Sequence, residues 1–234
     1  MPWPKDHKSR ARARIVAAAA AALRAKGVSG VGVADVMASA GLTHGGFYAH
    51  FASKDDLLAE AIEHASAQTP AGLGGSGDAA STETRLRAVV DAYLSPWHVT
   101  HVDVGCPVAA LGPEIARTGG RMQRNLRRTL RARFEWVRGL IPADRGARVR
   151  EEQVVGALAC MVGGLILARA VGGKESTELL EACRGFLHRT LGGAPGAPDG
   201  TEPTARHAKK VKAPRRKPLT HPPRATSTPS RGIT

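Results

Sequence analysis

Two stretches gather side chains able to do chemistry. "HVTHVDVGC" sets His98, His101, Asp103 and Cys106 close together. All four residue types bind metals, and histidines three apart can share one helix face. Pro96 and the interleaved Val99, Val102 and Val104 make the segment irregular, so loop histidines are expected here, with no metal and no cofactor. Cys106 lies between Gly105 and Pro107. That places it at a helix N-terminus, where exposed amides favour a thiolate; the alternative is a small buried hydrophobe. No Ser/His/Asp order, phosphate loop or carboxylate pair in a plausible pocket is visible, so an enzyme is not expected.

The second stretch is "AGLTHGGFYAHFASKDDLL", residues 40–58, with three glycines, two histidines, two phenylalanines and a tyrosine. The flanking sequence is helix-like and nearly free of aromatics. Arg10–Lys26 carries Ile15, Ala19, Ala22 and Leu23 on one face, with Arg10, Arg14 and Arg24 elsewhere, and Gly27 stops it. Val33–Ala40 is a short second helix. Thr43 is placed to cap a third, His44–Phe51, and Ser53 a fourth, from Lys54 to about Ala67. Two short helices joined by Gly41-Leu42-Thr43 form a helix-turn-helix. Leu42, Phe47 and Phe51 face inward, which leaves Thr43, His44, Gly46, Tyr48 and His50 outward. For Tyr48 and His50, packing within the small domain stays open. Gly45 and Gly46 each lower helix propensity by about 1 kcal/mol, and they let the third helix approach a groove closely. Hydroxyls, an ammonium and helix N-termini suit phosphates, while His44 and Tyr48 suit base edges.

These residues resemble the signature of the tetracycline-repressor (TetR/AcrR) family of bacterial transcription regulators. The match consists of Ala40, Gly41, Leu42 and Thr43, then Gly45, Phe47, Tyr48, His50 and Phe51, then Lys54 and Leu57, within Arg10–Ile62. Gly32 departs from it, since the family usually has a capping, phosphate-touching Thr or Ser there. The resemblance implies a homodimer whose third helices enter the major groove of a partly palindromic operator. It also implies a C-terminal helical domain that dimerises and binds a small effector that releases DNA. Thr43, His44, Gly46, Tyr48, His50 and Lys54 match the DNA-contacting positions. Gly-Cys-Pro at Cys106 is similar to a subgroup in which some members sense electrophiles or oxidants through a cysteine.

The rest of the chain agrees with an all-α fold. We expect an N-terminal arm and helix-turn-helix domain over 1–68, a Gly-rich linker over 69–80, a helical regulatory and dimerisation domain over 81–191 and a disordered basic tail over 192–234. Helices are predicted over 83–94, Cys106–Arg117, Met122–Leu140, Glu151–Val171 and Glu175–Leu191, with Met1–Ser9 a loose arm. Met122, Leu126, Leu130, Phe134 and Val137 mark one face of the long helix. Tyr93, Trp97, Cys106, Met122, Leu126 and Phe134 are candidates for the effector pocket, with plain core the alternative. The last two helices carry Gly156, Ala157, Ala159, Gly163 and Gly164, small enough for a close four-helix interface with a second copy.

The formal net charge is +14, and nine Lys and Arg against Asp199 and Glu202 put half of the excess beyond residue 191. Such a block attracts polyanions or simply solvates. Three widely spaced cysteines suit a reducing cytoplasm, near the nucleoid for such a regulator. Ile15–Leu23 is mostly alanine, followed by Arg24 and Lys26 without a cleavage-like site. The apolar run Val154–Ala168 falls short of the roughly 20 residues a span needs. No membrane partner is expected. Two rival functions stay open: a thiol-dependent redox protein or enzyme using Cys106, and a nucleic-acid binder that ignores sequence.

Overall fold

In the computed structural model, residues 5–68 and 81–192 are described. The chain divides into units Met1–Pro195 and Gly196–Thr234. The second unit lies outside the described residues, as do residues 1–4 and the Gly-rich stretch 69–80, so the basic tail and the linker fall there. The described part is helical, with no strand among the described residues. The helices are α1 (Lys5–Lys26), α2 (Val33–Ser39), α3 (Lys54–Gln68), α4 (Thr82–Tyr93), α5 (Pro96–Thr100), α6 (Pro107–Thr118), α7 (Gly120–Leu140), α8 (Ala147–Val171) and α9 (Gly173–Gly192). Short 3-10 turns cover His44–Ala49, Val102–Val104 and Ala143–Arg145.

Helix α1 starts earlier than the sequence suggests: residues 5–9, expected as a loose arm, are helical. Its Ile15, Val16, Ala19, Ala20 and Leu23 are buried, largely against α3. Gly27 closes it at φ 74°, donating to the Leu23 carbonyl at 2.9 Å. A left-handed residue there favours glycine. Arg24 also departs from expectation. It is only 4% exposed, with Nε donating to the Asp103 carbonyl at 2.5 Å and Nη2 to Gln68 Oε1 at 3.3 Å. Those acceptors lie 79 and 44 residues away, so helical periodicity carries no trace of them.

Helix α3 is buried on several sides: Leu57, Leu58, Ala59, Ala61, Ile62 and Ala65 are all inaccessible. Ser53 caps it as predicted, its Oγ accepting from the Asp56 amide at 3.1 Å. Helix α7 packs along it through a polar seam. Asn125 Nδ2 donates to the Ala59 carbonyl at 2.9 Å, the Thr129 and Ser66 hydroxyls meet at 2.6 Å, and Arg133 Nη2 donates to the Ser66 carbonyl at 2.7 Å. Asn125, Thr129 and Arg133 are buried, whereas Met122, Leu130 and Phe134 are only partly so. The apolar stripe read from the sequence is thus not the whole buried face of α7. Partners supplied by α3 make a polar stripe burial-competent.

The segment 96–104, expected to be irregular, forms α5 and a 3-10 turn. Ser95 caps α5 by accepting from the His98 amide at 3.2 Å. Helix α8 runs for 25 residues, longer than the predicted Glu151–Val171. Its best 18-residue window has a mean hydropathy of 2.1, so by length and composition it could cross a membrane. In the fold it packs on α5, α6, α7 and α9, and 39% of that window is buried. The other side stays open: Val149, Val155, Leu167 and Val171 on α8 and Phe186 on α9 are each at least 45% exposed. Cys160 and Cys183 meet across the α8–α9 contact, where burial and the neighbouring thiol push the Cys160 thiol up to about 11.

Candidate nucleic-acid interface

The turn between α2 and the recognition segment is fixed by backbone bonds. Gly41 sits at φ 69° and donates to the Ala38 carbonyl at 2.9 Å, and Leu42 donates to the Met37 carbonyl at 2.9 Å. The recognition segment is a 3-10 helix over His44–Ala49 rather than an α-helix to Phe51. Gly45 and Gly46 weaken α-helical propensity over so short a stretch, and i→i+3 bonds prevail. Thr43 precedes it in extended conformation without a side-chain cap bond, contrary to expectation. Its hydroxyl is therefore not committed to the helix. Gly32 occupies the N-cap of α2, likewise without a side-chain bond.

Phe47 and Phe51 anchor the segment. They are 1% and 3% exposed, with ring centroids 5.8 Å apart and near-parallel planes. Tyr48 meets the edge of Phe47 but is 75% exposed. Thr43 and His44 are exposed, while Leu42, Gly46, His50 and Lys54 are partly so. A Cβ on Gly45 would meet nothing within 4 Å; one on Gly46 would touch Met37 at 3.7 Å and Thr43 at 3.9 Å. Gly45 therefore faces open space, whereas Gly46 is turned partly inward. His50 is the least free of these residues. Its Nδ1 is buried without a partner, and burial, with Lys8, Arg12 and His7 around it, lowers its pKa and favours the neutral ring.

Arg12 holds the segment in place, a role not foreseen from the sequence. Its guanidinium donates to the His50 carbonyl, pairs with Glu60 at 2.5 Å and lies 4.1 Å above the Phe51 ring. One side chain thus ties α1 to the end of the recognition segment and to α3. In sequence it is one more arginine on an Arg/Ala helix; its partners lie 38 and 48 residues on. Lys54 opens α3 directly after this junction.

A second cluster lies among α4–α8. His98 is 3% exposed, and both ring nitrogens are used. The Nδ1 atom is 2.8 Å from the Tyr93 carbonyl and Nε2 accepts from the Cys106 amide at 3.0 Å. A carbonyl only accepts, so the proton sits on Nδ1 and the ring is neutral. His101 instead stacks on Trp97, centroids 4.5 Å apart, and Trp97 is 56% exposed. Among the described residues no group of three or more His, Cys, Asp or Glu is placed to hold a metal. Cys106 is the N-cap of α6 as the sequence suggests, but it is buried, at 3% exposure.

Cys106 and Tyr93 line a small cavity with Val108, Arg133, Trp136 and Met161. Its volume is about 10 Å³, room for at most one water. Of the six residues proposed for an effector pocket, the structure brings Tyr93 and Cys106 together here. Met122, Leu126 and Phe134 pack in the core elsewhere on α7, and Trp97 lies at the surface. Arg133 and Trp136 were not foreseen, because their helix is dominated by exposed arginines. Helix α6, which begins at Cys106, also reaches the N-terminal helices. Glu114 accepts from the Val28 and Ser29 amides at 2.9 and 3.2 Å.

Two outcomes follow from this geometry. Arg12→Gln should speed amide exchange across 44–51 by about tenfold more than across α8; hydrogen exchange showing a uniform change would contradict its local role. For His98, burial first, then Arg169, lowers the pKa, against the bond to the Tyr93 carbonyl that raises it. The unfolded ring titrates near 6.5. Stability is therefore intact above about pH 6.5 and falls below it, as the unfolded chain takes a proton that the native ring refuses, until the lowered folded pKa is reached. His50 acts in the same direction. His98→Gln should flatten the fall in Tm between about pH 7 and 5; an unchanged slope would show that His98 does not contribute.

The same stretch is what known proteins share. A family model described as "Bacterial regulatory proteins, tetR family" matches residues 15–61, from α1 into α3. An uncharacterized HTH-type transcriptional regulator of Mycobacterium tuberculosis, Rv0196, is 27% identical over 169 residues, 68% of this chain and 84% of that protein. A TetR transcriptional regulator from Chloroflexus aurantiacus is 25% identical, with a TM-score of 0.65 over 80% of this chain and 96% of that one. A TetR-family regulator from Rhodococcus shares the fold at 19% identity, with a TM-score of 0.63 over 78% of this chain and 99% of that one. The matched residues form the helix-turn-helix itself and the fold likeness runs on through the C-terminal helices, so the chain carries a tetR-family helix-turn-helix, the DNA-binding element of transcriptional regulators, on a TetR-like helical fold.

Proposed function

We propose that the protein is a cytoplasmic, nucleoid-associated repressor that binds a partly palindromic operator as a homodimer and is released by a small effector or by modification of Cys106. It acts as a regulator, not as a catalyst. The observation that carries the reading is Tyr48, 75% exposed beside the buried Phe47. The Tyr48 hydroxyl and ring, beside the exposed Thr43 and His44, suit phosphate and base-edge contacts. Lys54 lies at the edge of the segment, while Gly46, turned partly inward, lets the segment pack closely on Met37. His50 contributes mainly through its carbonyl, which Arg12 holds. The 1–68 helices form the DNA-binding part and the 81–191 helices the regulatory and dimerising part.

Tyr48→Ala and Lys54→Ala should each weaken operator binding in gel-shift titrations. Lys54→Ala should do so nearly uniformly across sequences and reduce the salt slope by about one unit. Unchanged affinity for both variants would rule the interface out.

The open side of α8 and α9 supports the dimer. A Cβ on Gly156 or Gly163 would meet nothing within 4 Å, so a second copy could approach the backbone closely there. Gly164, one residue on, faces inward against Cys183 and Leu94. Val155, Leu167, Val171 and Phe186 supply the apolar cover. Gly163→Asp should shift sedimentation toward monomer; an unaltered dimer would place the interface elsewhere.

Cys106 connects this part to the DNA-binding part through α6. A ligand larger than a water that enters beside it must displace α6, α7 or α8, since the cavity volume is about 10 Å³. Displacing α6 moves Glu114 and with it the turn between α1 and α2.

A further inference from the structure

The cavity beside Cys106 is electrostatically one-sided. Arg133 lines it and is 7% exposed, and the charges of Arg133 and Arg169 act on both Tyr93 and Cys106. Arg24, 4% exposed, acts on Cys106 as well. The hydrogen bonds of these guanidinium groups go to neutral acceptors. Arg133 donates to the Ser66 carbonyl, Arg169 to the His98 and Val99 carbonyls, and Arg24 to the Asp103 carbonyl and Gln68. None takes part in an ion pair among the described residues, although Arg24 also feels the charge of Asp103. Buried cations are normally matched by an anion, because an unpaired charge in a low-dielectric interior is costly.

Near Cys106, two buried polar atoms also lack a well-placed partner. Tyr93 Oη is buried with no hydrogen bond of good geometry, although it lies against the Cys106 thiol. Nη1 of Arg24 is likewise unpartnered. Buried hydroxyls nearly always find an acceptor. Here the acceptor beside the Tyr93 hydroxyl is the Cys106 sulfur, a weak one, and Tyr93 borders the cavity that Arg133 also lines. The remaining wall is apolar: Val108, Trp136, Leu158, Met161 and Val162.

We propose that this cavity, which holds one water at most as it stands and widens when α6, α7 or α8 is displaced, takes a small carboxylate with an apolar body, its anionic end held by Arg133 and the Tyr93 hydroxyl and its body against Trp136 and Met161. The proposal rests on reading the C-terminal helices as the effector-binding part. A planar guanidinium matches a carboxylate with two parallel bonds, and the phenol supplies a third donor. No carboxylate of the protein lines the cavity to compete. The ligand supplies the missing counter-charge and the missing acceptor together. A neutral amide of the same shape brings no counter-charge and turns an N–H toward a guanidinium that can only donate, which is where discrimination arises.

The test uses the full-length protein without DNA. Butanoate, hexanoate, octanoate and benzoate are titrated by calorimetry, each beside its primary amide. At least one carboxylate should bind about tenfold more tightly than its amide. Tyr93→Phe removes an oxygen whose acceptor is the weak Cys106 sulfur, so the fold should be kept, and carboxylate binding should weaken by about fivefold or more. Arg133→Lys should cut the preference for carboxylate over amide. Absence of carboxylate binding, equal binding of acids and amides, or full affinity in a folded Tyr93→Phe protein would each overturn the proposal. Operator binding is measured separately by gel shift. Intact operator binding with no carboxylate binding overturns the ligand class alone. Carboxylate binding without operator release keeps the ligand class and removes its role as effector.

Discussion

Helix α3 has to be buried against α1 and α7 at once, and the rest of the structure depends on that constraint. Three of its side chains, Leu57, Leu58 and Ile62, are fully inaccessible. Each such burial is worth about 1.5–3 kcal/mol. The alanines at 59, 61 and 65 let neighbouring backbones approach, and the carbonyl of Ala59 serves as an acceptor for Asn125. The helix that follows the recognition segment is therefore also a wall of the C-terminal helices. No reorganisation of α7 can leave it untouched.

Magnitudes show which contacts matter across this wall. Arg128–Glu63 and Arg121–Asp56 cross the same boundary, but their side chains are 40–74% exposed. Exposed pairs of that kind contribute about 0–1 kcal/mol each. The seam of Asn125, Thr129, Ser66 and Arg133 is buried, and losing one partner there leaves a desolvated group at a cost of about 1–3 kcal/mol. Registration of α7 on α3 thus rests on the polar seam more than on the ion pairs. Arg133 belongs to both the seam and the cavity wall, so what happens beside Cys106 is felt at the Ser66 carbonyl of α3.

Helix α6 provides a second route. Its N-cap, Cys106, is held by the neutral His98 ring, and its Glu114 holds the two amides that follow α1. Gly27 lies at φ 74°, a conformation that favours glycine, and a Cβ there would come within 2.6 Å of the Glu114 carboxylate, which would have to shift. At the other end of α1, Arg12 clamps the recognition segment. Helix α1 is thus gripped near both ends, by Glu114 of α6 and by the segment 44–51.

Much of this was legible in the chain. The helix-turn-helix was readable because its determinants are local: a glycine turn, a Ser53 cap three residues before its amide partner, and Phe47 and Phe51 four apart on one face. The all-helical class and most helix boundaries follow from periodicity and from glycines and prolines in the same way. What the sequence could not determine depends on partners tens of residues distant. Arg12 and Arg24 look like solvated charges until His50, Phe51, Glu60 and Asp103 are brought to them. Asn125, Thr129 and Arg133 look like the wet face of α7 until α3 offers them acceptors. The candidate cavity residues divided for the same reason. Side-chain size and spacing mark Tyr93 and Trp97 alike, but only the tertiary packing decides that Tyr93 turns inward beside Cys106 while Trp97 stacks on His101 in solvent. Local patterns record propensity and amphipathicity; which polar groups may be buried is decided by partners that only the folded chain supplies.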